Sequence, residues 1–226
     1  MNAVGHTSQY DFPQAHLRDR SRAWLWTRMA VAYGLLEGAL WTAGEAQKIV
    51  SMIFLAWVIA TTIADRPSWN ELGLGLKGMR GASVALVYTA IAFALMVGTA
   101  WWFGTLRSID GQFAFSHAAG YVLWSFVQEF ILNSFFFLTL KRLLDRRKAV
   151  WGTVFLFVFA HIPNPVLMAA TLILSAVFVP LFRRYRNIYP LGLGHAILGL
   201  TIAITVPDRF LAHMRVGLGY VHFFVK

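Results

Sequence analysis

The chain is organised as seven long apolar segments separated by short polar stretches. Continuous apolar runs of this length are typical of membrane-spanning helices, whereas strands would alternate between apolar and polar positions. The predicted segments are 23–44, 46–64, 82–104, 113–140, 149–162, 165–182 and 188–206. The two shortest fall below the ~20 residues of a straight span, so we expect them to be buried or partial spans.

The pattern predicts one membrane domain with a polar tail at each end. No polar linker or low-complexity tract divides the chain, so we expect an all-α, polytopic bundle of about seven to eight transmembrane segments at 23–206. Residues 1–22 lack the apolar core of a signal peptide and are expected to form a cytoplasmic tail. Residues 207–226 mix Arg209, His213 and Arg215 with aromatic residues, as in an interfacial helix or an eighth span.

Composition supports this class and excludes others. Of the 226 residues, 58% are hydrophobic and 13% are charged, whereas about a quarter of the residues in a soluble domain are charged. Cysteine is absent from the sequence, which excludes disulfides and thiolate metal sites formed by this chain.

The net charge of +10 follows membrane topology rather than nucleic-acid binding. Basic residues cluster before the first segment and in every second loop after it. They are Arg18, Arg20, Arg22, Arg66, Lys77, Arg80, Lys141, Arg142, Arg146, Arg147, Lys148, Arg183, Arg184 and Arg186. All of these positions fall on one side of the membrane if the N-terminus is cytoplasmic. We therefore expect lipid as a partner and no nucleic acid.

Four ionisable residues interrupt the apolar segments, and such residues are costly in hydrocarbon. Glu37 stands alone in the first segment and is interpreted as a packing or interface residue. Glu129, His161 and His195 lie at similar predicted heights in three different segments. Ser125, Glu129 and Asn133 follow α-helical spacing and share one face, with Gln128 beside them. We expect this face to point into the bundle.

One carboxylate and two imidazoles permit three interpretations. They can activate a water and stabilise an oxyanion. Glu129, His161 and His195 can instead be the ligands of a divalent metal such as zinc, since two His and one carboxylate are a common catalytic set. The third interpretation is a polar network that only holds helices together.

Two local patterns favour a cavity at this level. In "HIPNP", prolines follow His161 and end its helix, and broken helices inside a membrane normally line cavities. In "YPLGLGHAILG", Gly192 and Gly194 permit close helix approach beside His195.

With these residues identified, the chain resembles the CPBP family of intramembrane endopeptidases, which includes CAAX prenyl endopeptidases and bacteriocin-processing or immunity proteins. The family motifs EExxxR, FxxxH and HxxxN/D correspond to "QEFILN" from Gln128, "FVFAH" ending at His161, and "HAILG" from His195. "ELGLGLKG" also resembles a family loop. The resemblance covers about residues 120–205 and is strongest to bacterial members, which implies the bacterial plasma (inner) membrane.

The resemblance implies site residues and a reaction. The candidate catalytic residues are Gln128, Glu129, Asn133, His161 and His195. His161 corresponds to the family's partner of the attacking water, and His195 to an oxyanion donor. The implied activity is cleavage of a peptide bond near the membrane, in a membrane-associated and possibly lipidated substrate. On a glutamic mechanism no cofactor is required.

Three positions depart from the family motifs. Gln128 stands where the family has its first Glu, Asn133 replaces the Arg, and Gly199 replaces the oxyanion Asn. An amide cannot take up a proton as a carboxylate does. The sequence therefore leaves three functions open: a variant endopeptidase, a pseudoprotease that binds or scaffolds membrane proteins, and a small carrier or transporter of lipid or isoprenoid.

Overall fold

Helices occupy all seven predicted apolar segments in the computed structural model, which describes residues 20–107 and 111–225. The helices are α1 (Arg22–Leu40), α2 (Gly44–Ala64), α3 (Met79–Ala82), α4 (Val84–Trp102), α5 (Gly111–Glu129), a π-helical segment (Phe130–Phe137), α6 (Leu138–Leu143), α7 (Arg146–Phe159), α8 (Pro165–Tyr185), α9 (Tyr189–Thr205), α10 (Asp208–Leu211), a 3₁₀ turn (Ala212–Met214) and α11 (Gly217–Phe224). The described residues contain no β-strand. The predicted all-α class is confirmed.

Four helical stretches of the described residues are long and apolar enough to cross a membrane. They are Gly44–Ala64, Met79–Trp102, Ala118–Leu143 and Pro165–Tyr185, and Tyr189–Thr205 is a shorter apolar helix. The other two predicted segments are α1 and the 14-residue α7. The protein is a polytopic helical membrane bundle.

Capping side chains fix the turns on either side of α7. Asp145 precedes α7, and its Oδ1 accepts the backbone N–H of Lys148. After α7 ends at Phe159, Asn164 caps α8, and Pro165 occupies the first turn of α8, where its missing N–H costs nothing. The "HIPNP" stretch therefore ends one helix and starts the next, as predicted.

The predicted helix 113–140 is not α-helical throughout. After Glu129 the backbone widens into a π-helix over Phe130–Phe137 before α6 resumes the α-helical form. Residues 131–137 are all buried, and Phe135 and Phe137 have no exposed surface. This burial places the segment at the centre of the bundle. π-helical turns are rare and occur frequently at functional sites.

Helix α9 packs closely against its neighbours through small residues. A Cβ added to Gly192 would lie 2.4 Å from the ring of Phe126 on α5, and one added to Gly194 would lie 2.5 Å from Oγ1 of Thr89 on α4. These distances are well inside van der Waals contact. The close approach predicted for Gly192 and Gly194 is present.

One end of the bundle is held together by a carboxylate with three guanidinium partners. Asp65, at the end of α2, is 3% exposed. Its Oδ2 accepts from Nη1 of Arg28 on α1 at 2.5 Å and from Nη1 of Arg142 on α6 at 2.7 Å. Its Oδ1 accepts from Nε of Arg20 at 3.0 Å. The cluster joins three helices at the end where the charge pattern places their basic residues together.

The loop 66–78 covers the same end of the bundle. Ser134 of the π-helical segment donates its hydroxyl to the Leu72 carbonyl at 2.6 Å. Asn187, between α8 and α9, donates its Nδ2 to the Gly75 carbonyl at 2.7 Å. These contacts connect the loop to the π-helical segment and to the turn between α8 and α9.

Asp65→Asn is expected to destabilise the fold by about 3 kcal/mol or more, because it leaves buried guanidinium groups without their carboxylate. The thermal unfolding temperature of the detergent-solubilised protein measures this. Glu45→Gln is the control, since the Glu45–Lys48 pair is exposed and such pairs contribute little. Equal unfolding temperatures for the two variants would contradict the expectation.

Candidate active site

Glu129 lies at the end of α5 with both carboxylate oxygens hydrogen-bonded. Its Oε1 is 2.9 Å from Nδ1 of His195 on α9, and its Oε2 accepts from Nδ2 of Asn133 at 2.7 Å. The Glu129 side chain is 0% exposed. The structure thus brings Glu129, Asn133 and His195 together, although the wider backbone turn begins between the first two.

His161 follows the last turn of α7 and is oriented by backbone. Its Nδ1 lies 2.7 Å from the carbonyl oxygen of Phe157, so Nδ1 carries the hydrogen and donates. The Phe157 ring contacts both imidazoles edge to face, with centroid distances of 4.9 Å to His161 and 5.9 Å to His195. The second and third predicted motifs therefore converge on one aromatic side chain.

A cavity of about 1480 Å³ runs between the helices beside these residues. Its wall is mostly apolar and includes Gln128, His161 and His195, but not Glu129 or Asn133. The five predicted site residues therefore separate into two sets: three at the cavity wall, and two buried behind His195. Gln128, rather than Glu129, presents a side chain to the cavity from the end of α5.

The hydrogen bonds at Nδ1 determine what the two imidazoles can do. A carbonyl holds Nδ1 of His161 and a carboxylate holds Nδ1 of His195, so Nε2 is the free nitrogen of each ring. An Nε2 without hydrogen accepts a proton, and an Nε2–H donates a hydrogen bond. Both roles of a hydrolytic site are available from these two rings.

The arrangement does not fit a metal ion held by Glu129, His161 and His195. Both Glu129 oxygens accept hydrogen bonds from Asn133 and His195, and Glu129 does not line the cavity, so it is not placed to share a metal ion with the two Nε2 atoms. Within residues 20–107 and 111–225, no group of three or more His, Asp or Glu side chains is placed to hold a metal.

Sequence reasoning did not identify Tyr121, which lies at the same cavity. Its hydroxyl oxygen would be 1.9 Å from a Cβ added to Gly199, so its ring fills the side-chain space of that glycine. Ser125, expected on the site face, instead donates its hydroxyl back to the Tyr121 carbonyl. The available signal was spacing, since Tyr121 precedes Gln128 by seven residues, or two helical turns.

Glu37 lies apart from the site. Its Oε2 accepts from Nε1 of Trp41 at 3.2 Å, one turn further along α1. It is not among the residues that line the cavity. This local contact agrees with its interpretation as a packing residue.

The cavity wall also carries a set of charged residues. Arg107 and His213 both pair with Asp208, which follows α9. All three residues line the cavity, whose wall is otherwise mostly apolar.

Comparison with known families gives one match. Residues 110–201 match the family described as type II CAAX prenyl endopeptidase Rce1-like, and this range contains all three sequence motifs. No curated protein and no solved structure matches the chain. The resemblance predicted from Gln128–Asn133, His161 and His195 is confirmed by this match, which covers residues 110–201 of the chain.

Proposed function

We propose that the protein is an intramembrane endopeptidase that hydrolyses a peptide bond inside the cavity. The observation that carries this proposal is the Glu129–His195 hydrogen bond, at the wall of a cavity that also contains His161. A buried carboxylate that orients an imidazole towards a cavity is the arrangement that hydrolytic sites use. The Rce1-like family match supports the same reaction class.

The two histidines take different roles because their Nδ1 partners differ. His161 bonds to a neutral carbonyl, so its neutral ring offers the Nε2 lone pair as general base for water. A salt bridge between Glu129 and His195 uses the doubly protonated imidazole, whose Nε2–H can then donate to an oxyanion. These roles match those that the family resemblance implies.

In the proposed reaction, a water oxygen attacks the carbonyl carbon of the substrate and transfers a proton to Nε2 of His161. The carbonyl electron pair moves to its oxygen, which accepts the hydrogen bond from His195. When the tetrahedral intermediate collapses, the C–N bond breaks and the His161 imidazolium returns the proton to the leaving amine. Gln128 takes no proton in this scheme, and its amide orients the water.

The cavity favours a substrate with a large apolar part. Its wall is mostly aliphatic and aromatic, which suits a lipid chain or an apolar peptide segment better than a charged peptide. A prenyl group attached to a peptide fits both this wall and the family description. The resemblance to bacterial members favours the bacterial inner membrane, and the basic loops favour a cytoplasmic N-terminus.

A pseudoprotease is the second candidate, and one observation favours it. The side chain that α5 presents to the cavity is an amide, Gln128, where the family has its first carboxylate. Such a protein would bind a lipidated peptide without cleaving it. The cavity alone would also suit a lipid or isoprenoid carrier, for which no further feature argues.

Cleavage of an internally quenched peptide bearing an S-farnesylcysteine tests the proposal. We expect the purified protein to cleave this peptide and His161→Ala to lower kcat by about 10²-fold or more, because the base is lost. His222→Ala, an exposed histidine on α11, is the control and should match the unmodified protein. Binding of the peptide without any cleavage would support the pseudoprotease instead.

Glu129→Gln is expected to lower kcat at least about tenfold while KM and the unfolding temperature change little. The amide preserves shape, and Oδ1 of Asn133, which has no hydrogen-bond partner among the described residues, can accept from it. Only the negative charge that faces Nδ1 of His195 is removed. The result should appear as a kcat effect with unchanged KM, and a pure KM effect would argue against the assigned role.

Gln128→Glu is expected to raise kcat about tenfold or more. The new carboxylate would lie at the cavity wall, where it can accept a proton from water. The same farnesylated peptide and a full pH profile measure the gain. Gln128→Met, which keeps the length but offers no acceptor oxygen, is the control, and equal rates for the two variants would contradict the role given to this position.

A further inference from the structure

The tip of Tyr121 occupies the space that belongs to the side chain of residue 199. A Cβ added to Gly199 would lie 1.9 Å from the Tyr121 hydroxyl oxygen, 2.5 Å from Cζ and 2.6 Å from Cε1. All three distances are far inside van der Waals contact. The Tyr121 ring on α5 therefore occupies the space that a side chain at position 199 on α9 would need.

Position 199 lies beside the proposed reaction centre. It is four residues after His195 on α9, one helical turn and ~6 Å along the axis. Both residues line the cavity together with Tyr121. Glu129 on α5 binds Nδ1 of His195 on α9. The Tyr121 hydroxyl lies at the same interface between α5 and α9, one turn further along α9.

Packing alone does not explain the hydroxyl. The same interface contains a second aromatic–glycine contact, in which the Phe126 ring lies 2.4 Å from a Cβ added to Gly192. That contact is made by a ring without a polar atom. A phenylalanine would keep its ring edge in the space at Gly199, with Cζ 2.5 Å from an added Cβ, so contact with a glycine does not by itself require the hydroxyl.

We propose that the Tyr121 hydroxyl donates a hydrogen bond to the oxyanion of the tetrahedral intermediate, together with Nε2–H of His195. This inference rests on the proposed endopeptidase function. A phenol is a donor, and it lies in the side-chain space of residue 199, one turn from His195 at the cavity wall. The second oxyanion donor thus comes from α5.

The hydroxyl takes part without exchanging its proton. As water attacks and its proton moves to His161, the carbonyl electron pair moves onto oxygen, and the Tyr121 O–H···O⁻ hydrogen bond strengthens. When the C–N bond breaks, the electron pair returns to the carbonyl and the hydrogen bond weakens. Tyr121 is therefore a catalytic residue of the donor type, which lowers the barrier by binding charge that exists only in the intermediate.

Tyr121→Phe is the direct test, because it removes one oxygen and keeps the ring in the space at Gly199. We expect kcat for the farnesylated peptide to fall by about 10²- to 10³-fold, as for loss of one oxyanion donor, while KM and the unfolding temperature stay nearly constant. Tyr220→Phe is the matched control, since Tyr220 lies on α11 and does not line the cavity. It should keep the kcat of the unmodified protein.

A donor swap gives an independent measurement. Tyr121→Ala should be as impaired as Tyr121→Phe, and it opens the space beside residue 199. Adding Gly199→Asn to Tyr121→Ala should then restore kcat at least about tenfold, because the new amide can donate from α9. Gly199→Ala in the same background is the control that fills space without a donor. Recovery with Ala equal to that with Asn would overturn the assignment.

Affinity for a charged analogue separates this inference from the proposed function. The probe is the farnesylated peptide with a phosphinate in place of the bond after the farnesylcysteine, and its reference is the neutral ketomethylene peptide. We expect Tyr121→Phe to weaken phosphinate binding at least about tenfold and to leave ketomethylene binding unchanged.

Each outcome decides one of the two statements. Cleavage by the unmodified protein with undiminished kcat in Tyr121→Phe keeps the endopeptidase and overturns the role of Tyr121. Absence of cleavage overturns the endopeptidase, and selective loss of phosphinate affinity would then support the Tyr121 hydroxyl only as a hydrogen-bond donor to an anionic oxygen in the cavity. Equal phosphinate affinity of the two proteins would overturn that role whether or not cleavage occurs.

Discussion

A fully buried carboxylate in an apolar bundle must have both of its oxygens satisfied, and this requirement organises the site around Glu129. Leaving either oxygen without a donor would cost several kcal/mol. Asn133 satisfies one oxygen from the next turn, and His195 satisfies the other from α9. The second contact fixes how α5 and α9 face each other, and with it the residues that reach the cavity. Gln128 points to the cavity because Glu129 points to α9.

Glycines on α9 make this contact possible. A helix with larger residues at 192, 194 and 199 could not approach α5, α4 and α8 as closely. The distance between Glu129 and His195 thus depends on residues that carry no chemistry of their own. Asp65 has a comparable role at one end of the bundle, since it joins three helices through guanidinium groups rather than through close backbone approach.

The fold class and the polar residues of the candidate site were predictable from sequence, because a membrane requires long apolar segments and makes ionisable residues within them rare. Apolar runs predict spans, and ionisable residues within the runs stand out, so Glu129, His161 and His195 could be identified without coordinates. The π-helical turn could not be predicted, since Phe130–Phe137 has the composition of an ordinary apolar helix. Tyr121 was missed for a related reason. A tyrosine in an apolar segment is common, and its hydroxyl becomes notable only because it lies where a side chain at position 199 would be. The division of the site into a cavity wall and a buried support also depends on helix rotation, which spacing along one helix does not determine.

The π-helical segment changes how the two ends of its helix face their neighbours. Its wider turns introduce a rotational offset between α5 and α6 relative to one continuous α-helix. The side chains of α5 that face α9 and the side chains of α6 near Asp65 therefore need not lie on one face of a continuous helix. At one end of this span Glu129 faces His195 on α9, and at the other end Arg142 faces Asp65 after α2, so each end meets its partner at an angle that one continuous α-helix would not provide.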